Sequence, residues 1–263
     1  MQQGSRSPAG TRGGFGPFLR EHPAGLLVLL GISVAGWLFL AWLATDMETP
    51  FAQLAMPMSR DWSTGNLFAV WAMWSVMMVA MMLPSAMPMV LTFVRVAQRN
   101  GEQGRGHAFV AAYLLVWLGF GAAGTAVQWG LQQLGWVDPM AVSRSTLLNA
   151  LLLLLAGVYQ FSPLKRACLQ SCRTPFSFLL GQWRPGRAGA FAMGLRHGVL
   201  CLGCCWALMA LLFIGGMMNV AWVAALAIAV AIEKLAPGGQ LISALLGLGL
   251  LVAGVAKLIL AAQ

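Results

Sequence analysis

Residues 24–44 read AGLLVLLGISVAGWLFLAWLA, twenty-one residues without a charge. An α-helix rises about 1.5 Å per residue, so about 20 such residues cross the roughly 30 Å hydrocarbon core of a bilayer. The run outlasts the roughly 7–15 residue apolar stretch of a cleaved signal sequence. No small-residue cleavage site followed by a polar domain comes after it. It is therefore expected to stay in the mature chain as a membrane anchor.

Six more apolar runs follow, at 66–94, 108–131, 146–161, 189–215, 217–232 and 240–261. The chain is 59% hydrophobic and only 9% charged, against about a quarter charged in soluble domains. A surface this apolar belongs in lipid. The fold predicted is all-α, a polytopic transmembrane bundle of about seven helices forming one domain over 24–263. Residues 1–23, a basic tail rich in Gly, Ser, Arg and Pro, are expected to be disordered. The fifth and sixth runs are parted by a tight turn from Gly215-Gly216 to Asn219, where Asn219 reads as a turn or cap residue. Pro84 and Pro88 each remove a backbone donor from the second run and are expected to bend it.

Net charge is +9, from sixteen Lys and Arg against seven Asp and Glu. The cations lie in the connections and alternate along the chain. Arg6, Arg12 and Arg20 precede the first run, and Arg60 follows it beside Asp46, Glu48 and Asp61. Arg95, Arg99 and Arg105 lie in the second connection, and Arg144 alone in the third. Lys165, Arg166, Arg173, Arg184 and Arg187 fill the fourth, the fifth has none, and Lys234 lies in the sixth. Cytoplasmic loops collect Lys and Arg, so the pattern puts the N-terminus inside and the C-terminus outside, with Lys257 snorkelling to the outer interface. The partner of these charges is the anionic lipid surface rather than nucleic acid.

The five cysteines carry the chemistry. Cys168 and Cys172 fall in the fourth, cytoplasmic connection, and Cys201, Cys204 and Cys205 in the fifth run. Cytoplasm keeps thiols reduced, which favours metal binding or redox work over structural disulfides. At roughly 100° per residue, His197, Cys201, Cys204 and Cys205 share an arc of about 100°. Cys168 and Cys172, four apart, would share a face on a helix. Thiolates with an imidazole suit zinc, copper or iron. Arg196 is expected either to anchor at the interface or to favour nearby thiolates. Glu233, if buried, is expected to pair with Arg196 or Lys234 or to offer an oxygen ligand. The methionines crowding the second run, Met73, Met77, Met78, Met81, Met82, Met87 and Met89, read as flexible filler, although thioethers also favour copper.

Several stretches have a familiar look. They are Ala156-Gly157-Val158-Tyr159-Gln160-Phe161-Ser162-Pro163-Leu164-Lys165 with Cys168 and Cys172-Arg173-Thr174-Pro175, the segment from Gly198 to Cys201, and Gly203-Cys204-Cys205-Trp206. Leu208-Met209, the turn from Gly216 to Asn219, Glu233-Lys234 and Met81-Met82-Leu83-Pro84-Ser85 go with them. In combination they resemble the bacterial family called predicted metal-binding integral membrane proteins, domain of unknown function 2182. The resemblance covers roughly Trp62 to the C-terminus. It implies a multi-pass protein of the bacterial inner membrane, with the five cysteines as metal-site candidates and Glu233 and Lys234 as motif residues.

The expected function is capture of a soft metal ion by Cys168, Cys172, His197, Cys201, Cys204 and Cys205, with Arg196, Glu233 and Lys234 around them, for transfer to or from a donor or acceptor protein. Two other readings stand beside it: a membrane thiol–disulfide oxidoreductase, and a non-catalytic subunit of a membrane complex. The first of these is an enzyme; the metal handler and the subunit are not.

Overall fold

The computed structural model describes residues 23–261; the tail expected to be disordered lies almost wholly outside the described residues. Eleven helices and no strand are found among them. They are α1 (Pro23–Thr45), α2 (Pro50–Ala55), α3 (Thr64–Arg99), α4 (Gly106–Gln133), α5 (Thr146–Gln160), α6 (Pro163–Arg173), α7 (Pro175–Gln182), α8 (Gly186–Ala210), α9 (Leu212–Gly215), α10 (Val220–Leu235) and α11 (Gly239–Ala261). All seven apolar runs thus become helix, and the protein is an all-α bundle.

Five helical stretches are long and apolar enough to cross a membrane: Gly25–Thr45, Thr64–Arg99, Gly106–Gln133, Gly186–Gly215 and Gly239–Leu260. α5 qualifies only together with α6, from which it is bent by 64°. α10, at 16 residues, is shorter than these. Bare leucines cover the outside, with Leu38 66% and Leu241 65% exposed. An apolar surface of this extent suits a lipid environment and not water.

Local chemistry sets the breaks. Ser63 and Asn66 form a reciprocal capping box at the start of α3, satisfying donors that a helix start leaves free. Asn219 caps α10 by accepting from the Trp222 amide at 3.1 Å, in the role its sequence position indicated. Gly216 turns the chain at φ 79°, and a Cβ there would lie 2.5 Å from Val142. The stretch between α5 and α6 contains the Ser162 cap, whose hydroxyl accepts from the Lys165 amide at 3.1 Å, followed by Pro163 at the first helical position.

Pro84 and Pro88 lie within the unbroken helix α3. Pro84 cannot bond back to Ala80, and the Ala80 carbonyl instead accepts from the Ser33 hydroxyl of α1 at 2.9 Å. A neighbouring helix thus satisfies the carbonyl that proline frees.

Side-chain and backbone bonds define the two ends of the bundle. At one end, the Gln132 amide donates to the Pro57 carbonyl and the Met217 amide to the Met140 carbonyl. At the other, Arg105 pairs with Glu102 and donates to the Arg184 carbonyl, with its guanidinium 5.0 Å from the Trp183 ring. α4 packs along α8 and α3, α1 along α3, α5 along α11, and α6 across α8.

Candidate metal centre

The short α6 determines the site. The sequence reading placed Cys168 and Cys172 in a connection; they stand instead on a helix that lies against α8. Gly203 of α8 permits this close approach, since a Cβ on it would lie 2.9 Å from the Cys168 sulfur. The Tyr159 hydroxyl, at the end of α5, donates to the Gly203 carbonyl. Arg173 donates to the Glu233 and Ala236 carbonyls at 2.6 and 2.7 Å, where a cation suits the C-terminal end of α10.

Held this way, α6 brings its second cysteine to the α8 group. The Cys172 thiol comes within electrostatic range of those of Cys201 and Cys204, and both of these lie within range of Cys205. Cys172 is half-buried, while Cys201, Cys204 and Cys205 are fully buried. The two thiols nearer the end of the group turn back on their own helix: Cys204 and Cys205 donate to the Cys201 carbonyl at 3.0 and 3.1 Å. Cys168 packs against Gly203, within electrostatic range of Cys204. Among the described residues no three His, Cys, Asp or Glu side chains stand arranged as a ready metal cage.

His197 lies one turn before Cys201, buried and stacked on Tyr113 and Phe109 at ring separations of 5.6 and 5.9 Å. Its Nδ1 has no hydrogen-bond partner, an arrangement that calls for an explanation in a buried polar group.

The charged neighbours differ from the sequence expectation. Arg196 is exposed, about 100° around α8 from buried His197, and Lys234 is the cation at the thiols. The Lys234 ammonium donates to the Cys201 sulfur at 3.1 Å and to the Ser85 hydroxyl at 3.3 Å, and lies 3.8 Å from the Met82 thioether. Glu233 pairs with neither Arg196 nor Lys234. It accepts from Lys165 of α6 at 2.7 Å, both side chains being 1% exposed. The helical register explains the split: adjacent residues point about 100° apart, so Lys234 faces α3 and α8 while Glu233 faces α6.

Two participants were not singled out from the sequence. Tyr113 hydrogen-bonds the Cys201 sulfur at 3.3 Å and donates to the Met82 carbonyl at 3.2 Å. Met82, read as filler, lies 3.9 Å from the Cys205 sulfur. A signal was available for the first: the chain has eleven Trp but two Tyr, and both phenol groups bond to the 201–203 stretch of α8.

Thiols, a thioether and a buried imidazole nitrogen without a partner form a donor set of soft character inside a helical bundle, with the Lys234 ammonium as a fixed positive charge beside it. Such donors select monovalent copper over harder ions. Residues 71–257, more than half of the chain, match the PpoB2 family, described as copper chaperone, and the chain belongs to that family. No curated protein and no solved structure matches it. The expected handling of a metal is thereby met at the level of the family, with copper as the metal.

Proposed function

We propose that this chain binds monovalent copper inside the membrane bundle, through Cys172, Cys201 and Cys204, and exchanges it with a donor or acceptor protein at the α6 end. Cys205, His197 and the Met82 thioether are the further donors within reach. The observation that carries the reading is the packing of α6 against α8, with Cys168 on Gly203 and Cys172 one turn further on, within electrostatic range of Cys201 and Cys204. Helices distant in sequence place reduced thiols together, as ligation requires. Copper is favoured over zinc or iron on two grounds. The neighbours include a thioether, and the one carboxylate nearby, Glu233, is engaged by Lys165.

Depth gives the direction of exchange. At about 1.5 Å per residue, Cys201 lies about 21 Å from the Gly215 end of its helix and Lys234 about 22 Å from Asn219. If the Gly216 turn marks one boundary of a core about 30 Å thick, the thiols lie near the other boundary. The alternation of basic connections favours the cytoplasmic side for that boundary. Half-buried Cys172 is then the first thiol an incoming ion meets, and the buried pair on α8 receives it by ligand exchange. Cys168, on the same face of α6, sets that helix against Gly203.

The test is anaerobic loading of the purified protein in detergent with monovalent copper, followed by elemental analysis. The chain should hold copper near stoichiometry and lose it when Cys172, Cys201 and Cys204 are all changed to Ser. Undiminished copper in the folded triple variant would overturn the reading. Thiols that instead cycle between free and bonded forms without copper would transfer the weight to thiol–disulfide exchange.

A further inference from the structure

A second polar site lies beside α6, and none of the cysteines lines it. Where α5 bends into α6 beside α11, a cavity of about 260 Å³ is lined by Gln160, Lys165, Arg166 and Ser243, with Phe161 and Leu241 at its apolar edge. One water needs only a small part of this volume.

Its polar groups lack partners. Gln160 is 4% exposed, yet neither its amide nitrogen nor its amide oxygen has a hydrogen-bond partner, and the Ser243 hydroxyl, also 4% exposed, has none. Lys165 has three donors and a single acceptor, the Glu233 carboxylate. Buried polar side chains are nearly always hydrogen-bonded, so this cluster is built for something that enters. The Lys165–Glu233 pair is neutral as a unit, which leaves Arg166, on the exposed side, as the uncompensated charge. Amide, hydroxyl, ammonium and guanidinium donors converge, and no carboxylate lines the cavity.

We infer that this cavity binds a phosphate group, and that the phosphate is carried on a membrane lipid. The donor set matches an anion with several acceptor oxygens, and a guanidinium binds such groups particularly well. Phe161 and Leu241 are 39% and 65% exposed at the edge, on helices whose outer faces are apolar. Acyl chains would lie along these side chains while the phosphate enters between them. Clusters of basic residues at a membrane boundary favour anionic headgroups in the same way. The inference does not depend on the copper reading, because none of the thiols lines the cavity.

Native mass spectrometry of the full chain in neutral detergent, with added phosphatidylglycerol, tests it. The protein should retain the lipid and should not retain diacylglycerol with the same acyl chains. Arg166→Gln, a change on an exposed side chain, and Gln160→Leu combined with Ser243→Ala should each weaken retention at least tenfold. The melting temperature of each variant without lipid confirms that it is folded, and Arg166→Gln serves if the buried changes do not fold. If lipid is not retained but inorganic phosphate raises the melting temperature of the unaltered chain and not of Arg166→Gln, the site stands and the carrier assignment falls. Neither response, or equal retention by all variants, overturns the site.

Discussion

Replacing Lys234 by Met is the sharpest probe of the centre, because the outcome depends on the charge of the bound complex. A copper(I) ion held by two thiolates carries a net negative charge, and the Lys234 ammonium is the cation placed against it, 3.1 Å from the Cys201 sulfur and 6% exposed. At that separation, with an effective dielectric constant of about 20, the attraction is about 5 kcal/mol. Removing one member of a buried ion pair costs about 3–5 kcal/mol. At about 1.4 kcal/mol per tenfold change, copper affinity should fall by roughly a hundredfold to a few thousandfold in Lys234→Met. Lys234→Arg keeps the charge and should stay within about tenfold of the unaltered protein. The assay is anaerobic competition against a coloured copper(I) chelator, with thermal unfolding in detergent to confirm that each variant is folded. Equal or tighter binding by Lys234→Met would refute the reasoning: the ion would then be held by neutral donors such as Met82 and His197, and the ammonium would have been repelling it.

Two further predictions concern how α6 is held. Lys165→Met leaves Glu233 charged and buried without its partner, and should destabilise the bundle by about 3–5 kcal/mol; adding Glu233→Leu should recover most of the loss in thermal unfolding, since the second change removes the stranded charge. Gly203→Ala places a methyl group 2.9 Å from the Cys168 sulfur, an overpacking cost of about 1–3 kcal/mol. It should lift α6 from α8, speeding alkylation of Cys172 and weakening copper retention without changing any donor.

The helices were legible in the sequence as long apolar runs: all seven became helix, though only five are long and apolar enough to cross a membrane, and α5 joins them only together with α6. The grouping of His197, Cys201, Cys204 and Cys205 was legible as well, since helical periodicity alone fixes it. The partnerships were not. Glu233 was expected to pair with Arg196 or Lys234, but α6 carries Lys165 to it, and periodicity in one helix says nothing of a helix packed across it. The basic charge of 163–173 hid that helix as a loop: it is amphipathic and rests on the bundle. Met82 could not be told from its methionine neighbours, for the same reason. Only tertiary packing separates the thioether near Cys205 from those that fill the core.

Packing also bears on why the bundle suits a chaperone and not a passage. On the Gly216 side of the thiols the interior is filled by large side chains: Trp74, Trp117, Met77 and Met78 are each at most 1% exposed, and Trp74 lies 5.6 Å from Phe213 in ring separation. The Trp74 indole is tied to Gln128 at 2.9 Å. Protein interiors are close-packed, and a path through such a layer would require these rings to move together. An ion reaching Cys201 from the α6 end meets donors up to Met82 and then apolar aromatic packing. The next thioethers, Met77 and Met78, belong to this close-packed layer, and a cation enters such a layer only if its rings move. On the proposed reading the ion leaves by the way it came, through partly buried Cys172, and a site with one mouth exchanges copper with other proteins on a single face. Vesicles containing the chain should accordingly bind copper(I) at that face without accumulating it in the lumen, and lumenal accumulation that depends on Cys172 would show that the aromatic layer opens.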